Sequence, residues 1–596
     1  MINFIKIAFF MENFRTFDLL PRLQKNYNKP DALSSKVKGS WKKISTDEYI
    51  NSTNHISYGL LALGVGKGDN IGTISNNRFE WNFVDMGMAQ ISAVHVPIYP
   101  TISEHDLKFI INDADIKLFF VSSQELYEKV SRIEKELNKK INIYTFDEVP
   151  GVSHWTEVEN LGKKNQNPER LESIKNSIKD TDLLTILYTS GTTGNPKGVM
   201  LSHKNIISNC LATRTLAPFE SNWKSLSFLP INHVYERMLT YLYQYFGISV
   251  YYAESLETIA DNLKEIKPQM FVTVPRLLEK VYDKIVAKGS EQKGIKKALF
   301  FWALALGHEY EINGKSWWYK LKLAIANKLI FSKWREALGG NVVAVASGGA
   351  ALQPRLARVF NAAKITVLEG YGLTETSPVI AVNNFNPGGI CFGTVGHVIE
   401  GVDVKIAEDG EIIVKGPNIM LGYYKRPDLT AEVMDSNGYF HTGDIGEFVE
   451  GKYLKITDRK KEIFKTSGGK YIAPQIIENK LKESRFIEQV MVIGENEKFP
   501  AAFVVPSFLF IKEYCERKGI TYSSNEQIIK EKEILDRINE EVNQVNTQLA
   551  NYEQIKKIEL LPKEWSIDGG ELTPKLSMKR KVIIAKNQDA YKRIYS

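Results

Sequence analysis

Apolar runs of strand length alternate with helical patterns along most of this chain. Three examples are residues 70–75 before 81–93, residues 117–122 before 125–137, and residues 183–188 before 203–212. Alternation of this kind predicts an α/β fold whose sheets are mostly parallel. Because parallel sheets bind ligands at the carboxyl ends of their strands, the loops that follow these runs are the first candidates for a functional site.

The composition is that of a folded protein with more than one domain. Of its 596 residues, 43% are hydrophobic and 25% are charged, which argues against a disordered chain. Cys210, Cys391 and Cys515 are odd in number and far apart, so we expect no disulfide framework, no cysteine zinc site and a reducing compartment. The net charge of +7 is a mild bias towards polyanions. No arginine-rich stripe or nucleic-acid motif is present, so we expect no nucleic-acid partner.

Two segments raise the question of membrane contact. Residues 1–10 are apolar, but they are shorter than the roughly 20 residues that cross a bilayer and lack a signal-peptide cleavage site. We expect them to pack or fray, unless Met11 is the true start or the segment touches a membrane weakly. Residues 293–338 interleave lysines with apolar residues at helical spacing. This pattern predicts an amphipathic helix, which either packs on its own domain or lies on a membrane surface.

The strand-like run at 183–188 leads into a loop suited to binding phosphates. Residues 189–198 contain four hydroxyl side chains, three glycines and a lysine, namely Thr189, Ser190, Thr192, Thr193, Gly191, Gly194, Gly198 and Lys197. Glycines allow backbone N–H groups to turn towards an anion, and the hydroxyls and the lysine add donors and positive charge. The spacing differs from that of a Walker loop. We therefore predict a phosphate-binding loop of another type.

Four motifs together resemble those of the adenylate-forming (AMP-binding) superfamily, which includes acyl-CoA synthetases, luciferases and the adenylation domains of peptide synthetases. Residues 188–203 read Tyr-Thr-Ser-Gly-Thr-Thr-Gly-Asn-Pro-Lys-Gly-Val-Met-Leu-Ser-His, like the signature loop of that superfamily. Its second core motif, ribose-binding motif and hinge are resembled by residues 371–376 (Tyr-Gly-Leu-Thr-Glu-Thr), 439–444 (Tyr-Phe-His-Thr-Gly-Asp) and 457–462 (Thr-Asp-Arg-Lys-Lys-Glu). The order and spacing of the motifs fit over most of the chain.

The resemblance implies an α/β fold with two domains of unequal size. Residues 1–457 would form a large N-terminal adenylation domain of several subdomains, with mostly parallel sheets and a β-rich part after residue 400. Short strands separated by turns are indeed the pattern there, at residues 404–407, 411–414, 446–449 and 453–456. Residues 458–461 would be a hinge, with Asp458 and Lys461 at its ends. Residues 462–596 would form a small, mobile α+β domain.

The resemblance also assigns roles in a reaction that joins a carboxylic acid to AMP and then to CoA, with ATP and CoA as co-substrates and Mg²⁺ as cofactor. Residues 189–197 would hold the β- and γ-phosphates, Thr374 the α-phosphate, and Glu375 with Thr193 the Mg²⁺ ion. Asp444 and Arg459 would bind the ribose. The adenine would lie between two glycine-rich segments, formed by Gly348, Gly349 and Ala350 and by Gly370, Tyr371 and Gly372, with Tyr371 stacked on it. Gly468 and Gly469 would line the path of CoA.

The adenylation lysine of the superfamily has no certain counterpart here. Residues 572–581 read Leu-Thr-Pro-Lys-Leu-Ser-Met-Lys-Arg-Lys, and the alignment that suits long-chain members puts Ser577 at the position of that lysine. We favour Lys579, because Met578-Lys579 resembles the usual step from a small residue to lysine. Lys575 is the alternative, and a merely basic surface run is the third interpretation.

Residues 229–238 and 274–284 look like segments of long-chain acyl-CoA synthetases, and residues 293–338 suit that branch. The predicted substrate is therefore a long-chain fatty acid, with His233 near its carboxylate. Two alternatives are another acceptor or acid (a carrier protein, an aryl acid) and a nucleotide sensor without catalysis. We expect a cytoplasmic protein with peripheral contact at the inner membrane face; chain-length preference and oligomeric state do not follow from the sequence.

Overall fold

The structure is a computed structural model and describes residues 13–189, 195–566, 569–572 and 578–596. Its strands are β1 (Leu33–Val37), β2 (Ser40–Ile44), β3 (Asn70–Ile74), β4 (Val94–Ile98), β5 (Leu118–Val121), β6 (Asn142–Thr145), β7 (Leu183–Thr189), β8 (Lys197–Ser202), β9 (Lys224–Ser227), β10 (Ser249–Tyr252), β11 (Met270–Thr273), β12 (Ala344–Ser347), β13 (Thr366–Gly372), β14 (Val379–Val382), β15 (His397–Val398), β16 (Asp403–Ile406), β17 (Glu411–Lys415), β18 (Gly422–Tyr423), β19 (Phe440–Val449), β20 (Tyr453–Arg459), β21 (Phe464–Lys465), β22 (Tyr471–Ile472), β23 (Ile487–Ile493), β24 (Ala501–Pro506) and β25 (Lys557–Leu560).

The α-helices are α1 (Leu19–Asn26), α2 (Thr46–Ala62), α3 (Phe79–Gln90), α4 (Glu104–Asp113), α5 (Gln124–Leu137), α6 (Trp155–Lys164), α7 (Pro168–Ser177), α8 (His203–Thr213), α9 (Val234–Phe246), α10 (Ile259–Ile266), α11 (Pro275–Ser290), α12 (Gly294–His308), α13 (Trp317–Ala326), α14 (Ser332–Ala337), α15 (Pro354–Ala362), α16 (Pro427–Val433), α17 (Pro474–Leu481), α18 (Phe508–Lys518), α19 (Asn525–Ile528), α20 (Lys532–Asn546), α21 (Arg580–Lys586) and α22 (Gln588–Tyr595). Short 3₁₀ turns lie at Thr16–Asp18 and Thr374–Thr376, and a π-helical turn lies at Asn327–Phe331.

The first large sheet has the strand order β18-β8-β7-β4-β3-β5-β6. The strands from β7 to β6 run parallel, whereas β8 turns back on β7 and pairs with it in antiparallel fashion. The predicted strands at 70–75, 117–122 and 183–188 are all present. The strand β8 was not predicted, because its residues belong to the polar loop motif, and α8 follows β8 rather than the loop. Ser202 caps α8 by accepting a hydrogen bond of 3.2 Å from the amide of Asn205.

The second large sheet has the order β15-β14-β13-β12-β11-β9-β10-β1-β2. Its central strands from β13 to β1 are parallel, and antiparallel strands close both edges. The mostly parallel α/β fold predicted from the alternating pattern is thus confirmed. Both large sheets present the carboxyl ends of strands that carry the sequence motifs, β7 in one sheet and β12 and β13 in the other.

The β-rich part after residue 400 is a four-stranded antiparallel sheet of order β16-β17-β19-β20. Two of its strands are longer than predicted, because β19 begins at Phe440 and β20 continues to Arg459. The sequence motif predicted to bind ribose therefore lies inside a regular strand. Its partner strand contains Asp458, which the sequence assigned to the hinge.

The C-terminal part is built around the sheet β23-β24-β25. Its central strands are buried on both faces, because alternate residues belong to two different apolar clusters. Val490 and Val504 face one cluster, and Met491 and Phe503 face the other. This small α+β unit thus has a core of its own.

The lysine-rich segment 293–338 does not form one long helix. The helix α12 ends at His308, and α13 begins at Trp317 and continues through the π-helical turn into α14. Phe331 and Trp334 are buried in the apolar cluster that also contains α12 and α15. Among the residues that the structure describes, no helix is both long enough and apolar enough to cross a membrane.

Candidate active site

Two glycine-rich segments lie side by side where β12 and β13 end. The two strands are parallel, with Ser347 opposite Glu369, so Gly348 and Gly370 emerge next to each other. A Cβ atom added to Gly348 would lie 3.5 Å from the carbonyl oxygen of Gly370, and one added to Gly372 would lie 1.8 Å from that of Pro378. The close approach at Gly372 excludes any side chain there.

Two further predicted residues, Gly349 and Ala350, follow Gly348 in the first glycine-rich segment. Gly349 adopts a φ of +82°, which a glycine reaches without strain, and Ala350 follows it on the exposed surface. The two predicted adenine-binding segments therefore lie next to each other at the carboxyl ends of paired parallel strands.

Tyr371, Asp444 and Arg459 form one polar cluster. The hydroxyl of Tyr371 donates a hydrogen bond of 2.6 Å to Oδ2 of Asp444, and Nε of Arg459 lies 3.4 Å from Oδ1 of the same carboxylate. Burial raises the pKa of Asp444, the charge of Arg459 lowers it, and the charge of Glu375 raises it further. The structure thus brings together residues from three separate motifs.

Lys197, Tyr423 and Glu375 form a second cluster. The ammonium of Lys197 lies 5.1 Å above the ring of Tyr423, and the hydroxyl of Tyr423 donates a hydrogen bond of 3.0 Å to Oε1 of Glu375. The short strand β18 positions Tyr423 by pairing with β8, where Tyr423 lies opposite Val199. The neighbouring Thr374 is buried in the 3₁₀ turn that carries Glu375.

The two ends of the predicted phosphate loop lie on neighbouring strands. Thr189 ends β7 and lies opposite Lys197, the first residue of β8, so the loop connects two hydrogen-bonded strands. The predicted residues Ser190, Gly191, Thr192, Thr193 and Gly194 lie outside the described residues. The hydroxyl of Tyr188 donates a hydrogen bond of 2.5 Å to Asp113 and fixes the end of the strand before the loop.

His233 caps the start of α9, and its Nδ1 accepts a hydrogen bond of 3.1 Å from the amide of Tyr235. The ring of Tyr235 lies beside Gly348, since a Cβ atom added to Gly348 would be 3.4 Å from the Cζ atom of the ring, which is van der Waals contact. The start of α9 therefore lies next to the first glycine-rich segment, at Gly348.

The predicted hinge is only in part a turn. Asp458 and Arg459 end β20, and the turn begins at Lys460. Asp458 is buried and accepts hydrogen bonds from the amides of Arg459 and Gln475, and burial raises its pKa to about 7. Lys461 is exposed. Gly468 and Gly469 lie on the exposed turn between β21 and β22, where Gly469 adopts a φ of +79°.

Lys579 precedes α21, and its amide donates a hydrogen bond of 2.8 Å to the carbonyl of Glu571. Its side chain is exposed, and within the described parts of the chain no hydrogen bond or ion pair joins it to Glu375, Thr374 or Asp444. Residues 573–577, which include both Lys575 and Ser577, lie outside the described residues.

Three residues that lie beside the predicted site or hinge residues were not predicted from the sequence. Tyr423 and Tyr235 reach the site through strand pairing and helix placement, which no local spacing reveals. Arg580 binds Glu462 at 3.0 Å and Glu478 at 2.7 Å, so it joins the start of α21 to the segment after the hinge. The basic run at 579–581 contained that signal, but the run does not tell which of its cations forms ion pairs and is half-buried.

The chain matches two family profiles that together cover most of its length. The profile of the AMP-binding enzyme matches residues 23–424, and that of the AMP-binding enzyme C-terminal domain matches residues 461–596. The chain belongs to the AMP-binding enzyme family. This membership agrees with the motifs at 188–203 and 371–376.

Relatives within the family match most of the length of this AMP-binding enzyme. The long-chain-fatty-acid–CoA ligase FadD15 of Mycobacterium bovis is 30% identical over 577 residues, which are 94% of this chain and 93% of that protein. Long-chain-fatty-acid–CoA ligase 1 of Homo sapiens is 33% identical over 550 residues, which are 86% of this chain and 76% of that protein. The chain therefore lies in the long-chain fatty acid–CoA ligase branch of the family.

Solved structures show the same fold. The adenylation domain of the carboxylate reductase from Mycobacterium chelonae has a TM-score of 0.77 at 20% identity, covering 98% of this chain and 91% of that one. The anthranilate CoA ligase AuaEII, solved with anthranoyl-AMP, has a TM-score of 0.72 at 17% identity, covering 96% of this chain and 97% of that one. The predicted fold class, a large adenylation domain followed by a smaller domain, is confirmed.

Proposed function

We propose that this AMP-binding enzyme activates a long-chain fatty acid with ATP and transfers the acyl group to CoA. The observation that carries the proposal is the joining of four separate motifs into two neighbouring clusters, Tyr371–Asp444–Arg459 and Lys197–Tyr423–Glu375. The first offers a carboxylate and a cation to the hydroxyls of a ribose. The second offers a cation and a carboxylate to phosphates and their metal ion. The names of the relatives support a long-chain acid as substrate.

In the proposed ATP complex the nucleotide lies across both clusters. Asp444 accepts hydrogen bonds from the ribose hydroxyls and Arg459 donates to them, while the adenine lies between Gly348–Ala350 and Gly370–Gly372. Residues 189–197 bind the β- and γ-phosphates, with Lys197 as the cation at the start of β8. The hydroxyl of Thr374 donates a hydrogen bond to the α-phosphate.

The residues present fit a Mg²⁺ ion that arrives with ATP. Such an ion needs only one or two protein oxygens, because phosphates and water fill its other positions. Glu375 supplies a carboxylate that Tyr423 holds in place, and Thr193 supplies a hydroxyl from the loop. When bound, the ion neutralises charge on the phosphates.

The first half-reaction forms the acyl adenylate. An oxygen of the fatty acid carboxylate attacks the α-phosphorus, the bond to the β-phosphate bridging oxygen breaks, and pyrophosphate leaves. Two anions must approach each other, so the chain contributes mainly cations and donors that orient and neutralise them. We assign the closing cation to Lys579, with Lys575 as the alternative, and place the carboxylate near His233.

The second half-reaction forms the thioester. The thiol of CoA loses its proton, its sulfur attacks the acyl carbonyl carbon, and AMP leaves with the bond electrons. We propose that residues 1–457 form the large domain and that residues 462–596 rotate about the hinge 458–461 between the two steps. Gly468 and Gly469, two residues without side chains on an exposed turn, then line the path of CoA.

An acyl-chain series tests the proposed function. Fatty acids from C6 to C22 are supplied with ATP, Mg²⁺ and CoA, and the release of pyrophosphate and AMP is followed. We expect both products to depend on the fatty acid and AMP release to depend on CoA. Pyrophosphate release that ignores the fatty acid would contradict the proposal, and replacing CoA by an acyl carrier protein tests the acceptor.

We also propose a cytoplasmic location with peripheral contact at the inner membrane face. A long-chain fatty acid partitions into bilayers, so an enzyme that takes it up benefits from lying close to the lipid surface.

A further inference from the structure

The outer side of α13 and of the π-helical turn after it carries large apolar side chains in contact with solvent. Trp317, Trp318, Leu321, Ile325 and Leu329 are 62%, 58%, 47%, 45% and 45% exposed. Residues four apart lie on one side of a helix, so the positions 317, 321, 325 and 329 form a continuous stripe. We call this stripe, with the lysines described next, the tryptophan–lysine face.

The opposite side of the same segment is anchored in the protein. Ala326 and Phe331 are fully buried, and Trp334 is 4% exposed. Ser316 caps α13 at Tyr319, whose hydroxyl donates a hydrogen bond of 2.6 Å to the carbonyl of Leu306 in α12. The segment that carries the stripe is therefore packed against the protein on its other side, while the stripe itself is exposed.

Charged side chains within the segment 315–335 are all basic, and the nearest acids in the sequence are Glu311 and Glu336. Lys315, Lys320, Lys322, Lys328, Lys333 and Arg335 lie between residues 315 and 335, and no aspartate or glutamate occurs in that interval. Lys320 and Lys322 flank the apolar stripe on its two sides, at the helix positions next to Leu321. Within the described part of the chain, none of the five lysines forms an ion pair.

The geometry points to an anionic lipid surface as the partner of the tryptophan–lysine face. Tryptophan side chains favour the interface of a bilayer, where an apolar ring meets polar groups. The lysines can extend past the apolar stripe to lipid phosphates while their methylene groups remain on the apolar side. A second copy of this chain fits poorly, because two such faces would bring like charges together. The inference deepens the proposed function by naming the surface and the lipid charge, and it rests on that function only for the source of the substrate.

The test measures binding of the full-length protein to vesicles without ATP, CoA or fatty acid. Vesicles of phosphatidylcholine alone are compared with vesicles that also contain phosphatidylglycerol, by co-sedimentation at low and high salt. We expect binding to the anionic vesicles, weakened by salt as for other surface charges. Because no substrate is present, the result does not depend on whether the proposed ligase activity exists.

Two variants test the two parts of the face. The double change Trp317→Ser/Trp318→Ser should lower partitioning on the order of tenfold, through the loss of inserted apolar area. The double change Lys320→Glu/Lys322→Glu should lower it on the order of tenfold for anionic vesicles and little for neutral ones. Matched controls are Leu535→Ser, an exposed leucine on α20 that is 36% exposed, and Lys140→Glu, an exposed lysine elsewhere. Both should bind like the wild type.

Three outcomes would overturn the inference. One is equal binding of the wild type to neutral and anionic vesicles, and the second is equal binding of wild type and both double variants. The third is a wild-type dimer in size-exclusion chromatography that the tryptophan change dissolves, in the absence of vesicle binding. Turnover of a soluble C8 acid should be unchanged in the variants; loss of this turnover alone would instead indicate damage to the fold.

Discussion

At the scale of single residues, the site depends on tyrosine hydroxyls that hold carboxylates in place. Tyr371 binds Asp444 and Tyr423 binds Glu375, each across more than 45 positions of sequence. A carboxylate that is fixed by a neighbour loses less freedom when it binds a ligand. Both tyrosines are therefore expected to act as positioning residues.

The change Tyr371→Phe removes the donor to Asp444 and leaves Arg459 as the main partner of a buried carboxylate. We expect the KM for ATP to rise about tenfold, the equivalent of one hydrogen bond to a charged group of about 1.4 kcal/mol. Steady-state kinetics of pyrophosphate release measure it. Tyr251→Phe is the control. Tyr251 lies on β10, and its hydroxyl donates a comparable hydrogen bond of 2.7 Å to Asp31, outside the two clusters. An unchanged KM in the first variant would contradict the assigned role.

The change Tyr423→Phe should act on the metal requirement instead. Glu375 would lose its 3.0 Å hydrogen bond and keep its charge, so its orientation would be less defined. We expect the Mg²⁺ concentration for half-maximal adenylation to rise severalfold, by roughly 1 kcal/mol. A magnesium titration at saturating ATP measures this shift. If only the thermal stability fell and the titration curve kept its midpoint, the positioning role would be rejected.

At the scale of elements, the first turn of α11 joins the large sheet domain to the small domain. Arg276 lies 2.5 Å from Glu488 and 3.4 Å from Glu564, both in the C-terminal part, and 3.4 Å from Glu279 on its own helix. Its side chain is 15% exposed, so these ion pairs are shielded from water better than surface pairs are. This contact is one of several between the two domains in this arrangement; another is the hydrogen bond of 3.4 Å from Arg355 to the carbonyl of Lys482.

The change Arg276→Gln should release the small domain. Breaking a mostly buried pair on one side costs about 3 kcal/mol, which would shift the population away from this domain arrangement. We expect faster tryptic cleavage near Lys460–Lys461 and a changed ratio of adenylation to thioester formation. Arg358→Gln, which removes an exposed pair of 2.8 Å with Glu311, is the control. Equal cleavage rates in both variants would contradict the proposal that the ion pairs of Arg276 hold the two domains in this arrangement.

The hinge offers a second test at this scale. The amides of Lys460 and Glu462 donate to the carbonyls of Gly443 and Arg459, whereas Lys461 is an exposed turn residue between them. A proline at 461 would fix its φ and restrict residue 460. Lys461→Pro should therefore impair thioester formation more than adenylate formation, in separate assays of the two half-reactions. Equal loss of both would contradict the hinge.

At the scale of the whole molecule, the sequence predicts well what depends on local pattern. Strands such as β3, β5 and β7 were predicted from apolar runs and are present. The roles assigned to Asp444 and Glu375 from their motifs stay predictions, although both residues lie in the polar clusters. The position of Tyr423 beside Lys197 was not predicted, because it depends on β18 pairing with a strand more than 200 residues earlier. The ion pairs of Arg580 with Glu462 and Glu478 were not predicted for the same reason, since both partners lie about 100 residues or more earlier in the sequence.

Buried acids make the stability of the molecule depend on pH. Glu369 is 7% exposed on β13, where its Oε1 accepts a hydrogen bond of 3.0 Å from the amide of Leu352. Burial raises the pKa of this carboxyl to about 8. Its ordinary pKa of about 4.5 holds in the unfolded chain, so the folded state binds the proton more tightly. The stabilisation is present below pH 4.5 and is lost as the pH rises towards 8.

The change Glu369→Gln should therefore flatten the decline of stability between about pH 5 and pH 8. Within this window each pH unit costs the wild type up to about 1.4 kcal/mol through this group, and glutamine keeps the acceptor without the titration. Urea unfolding at several pH values measures the free energies. The control Glu148→Gln alters an exposed acid and should leave the curve parallel to that of the wild type. A Glu369→Gln curve with the wild-type slope would show that the carboxyl is already ionised in the folded protein.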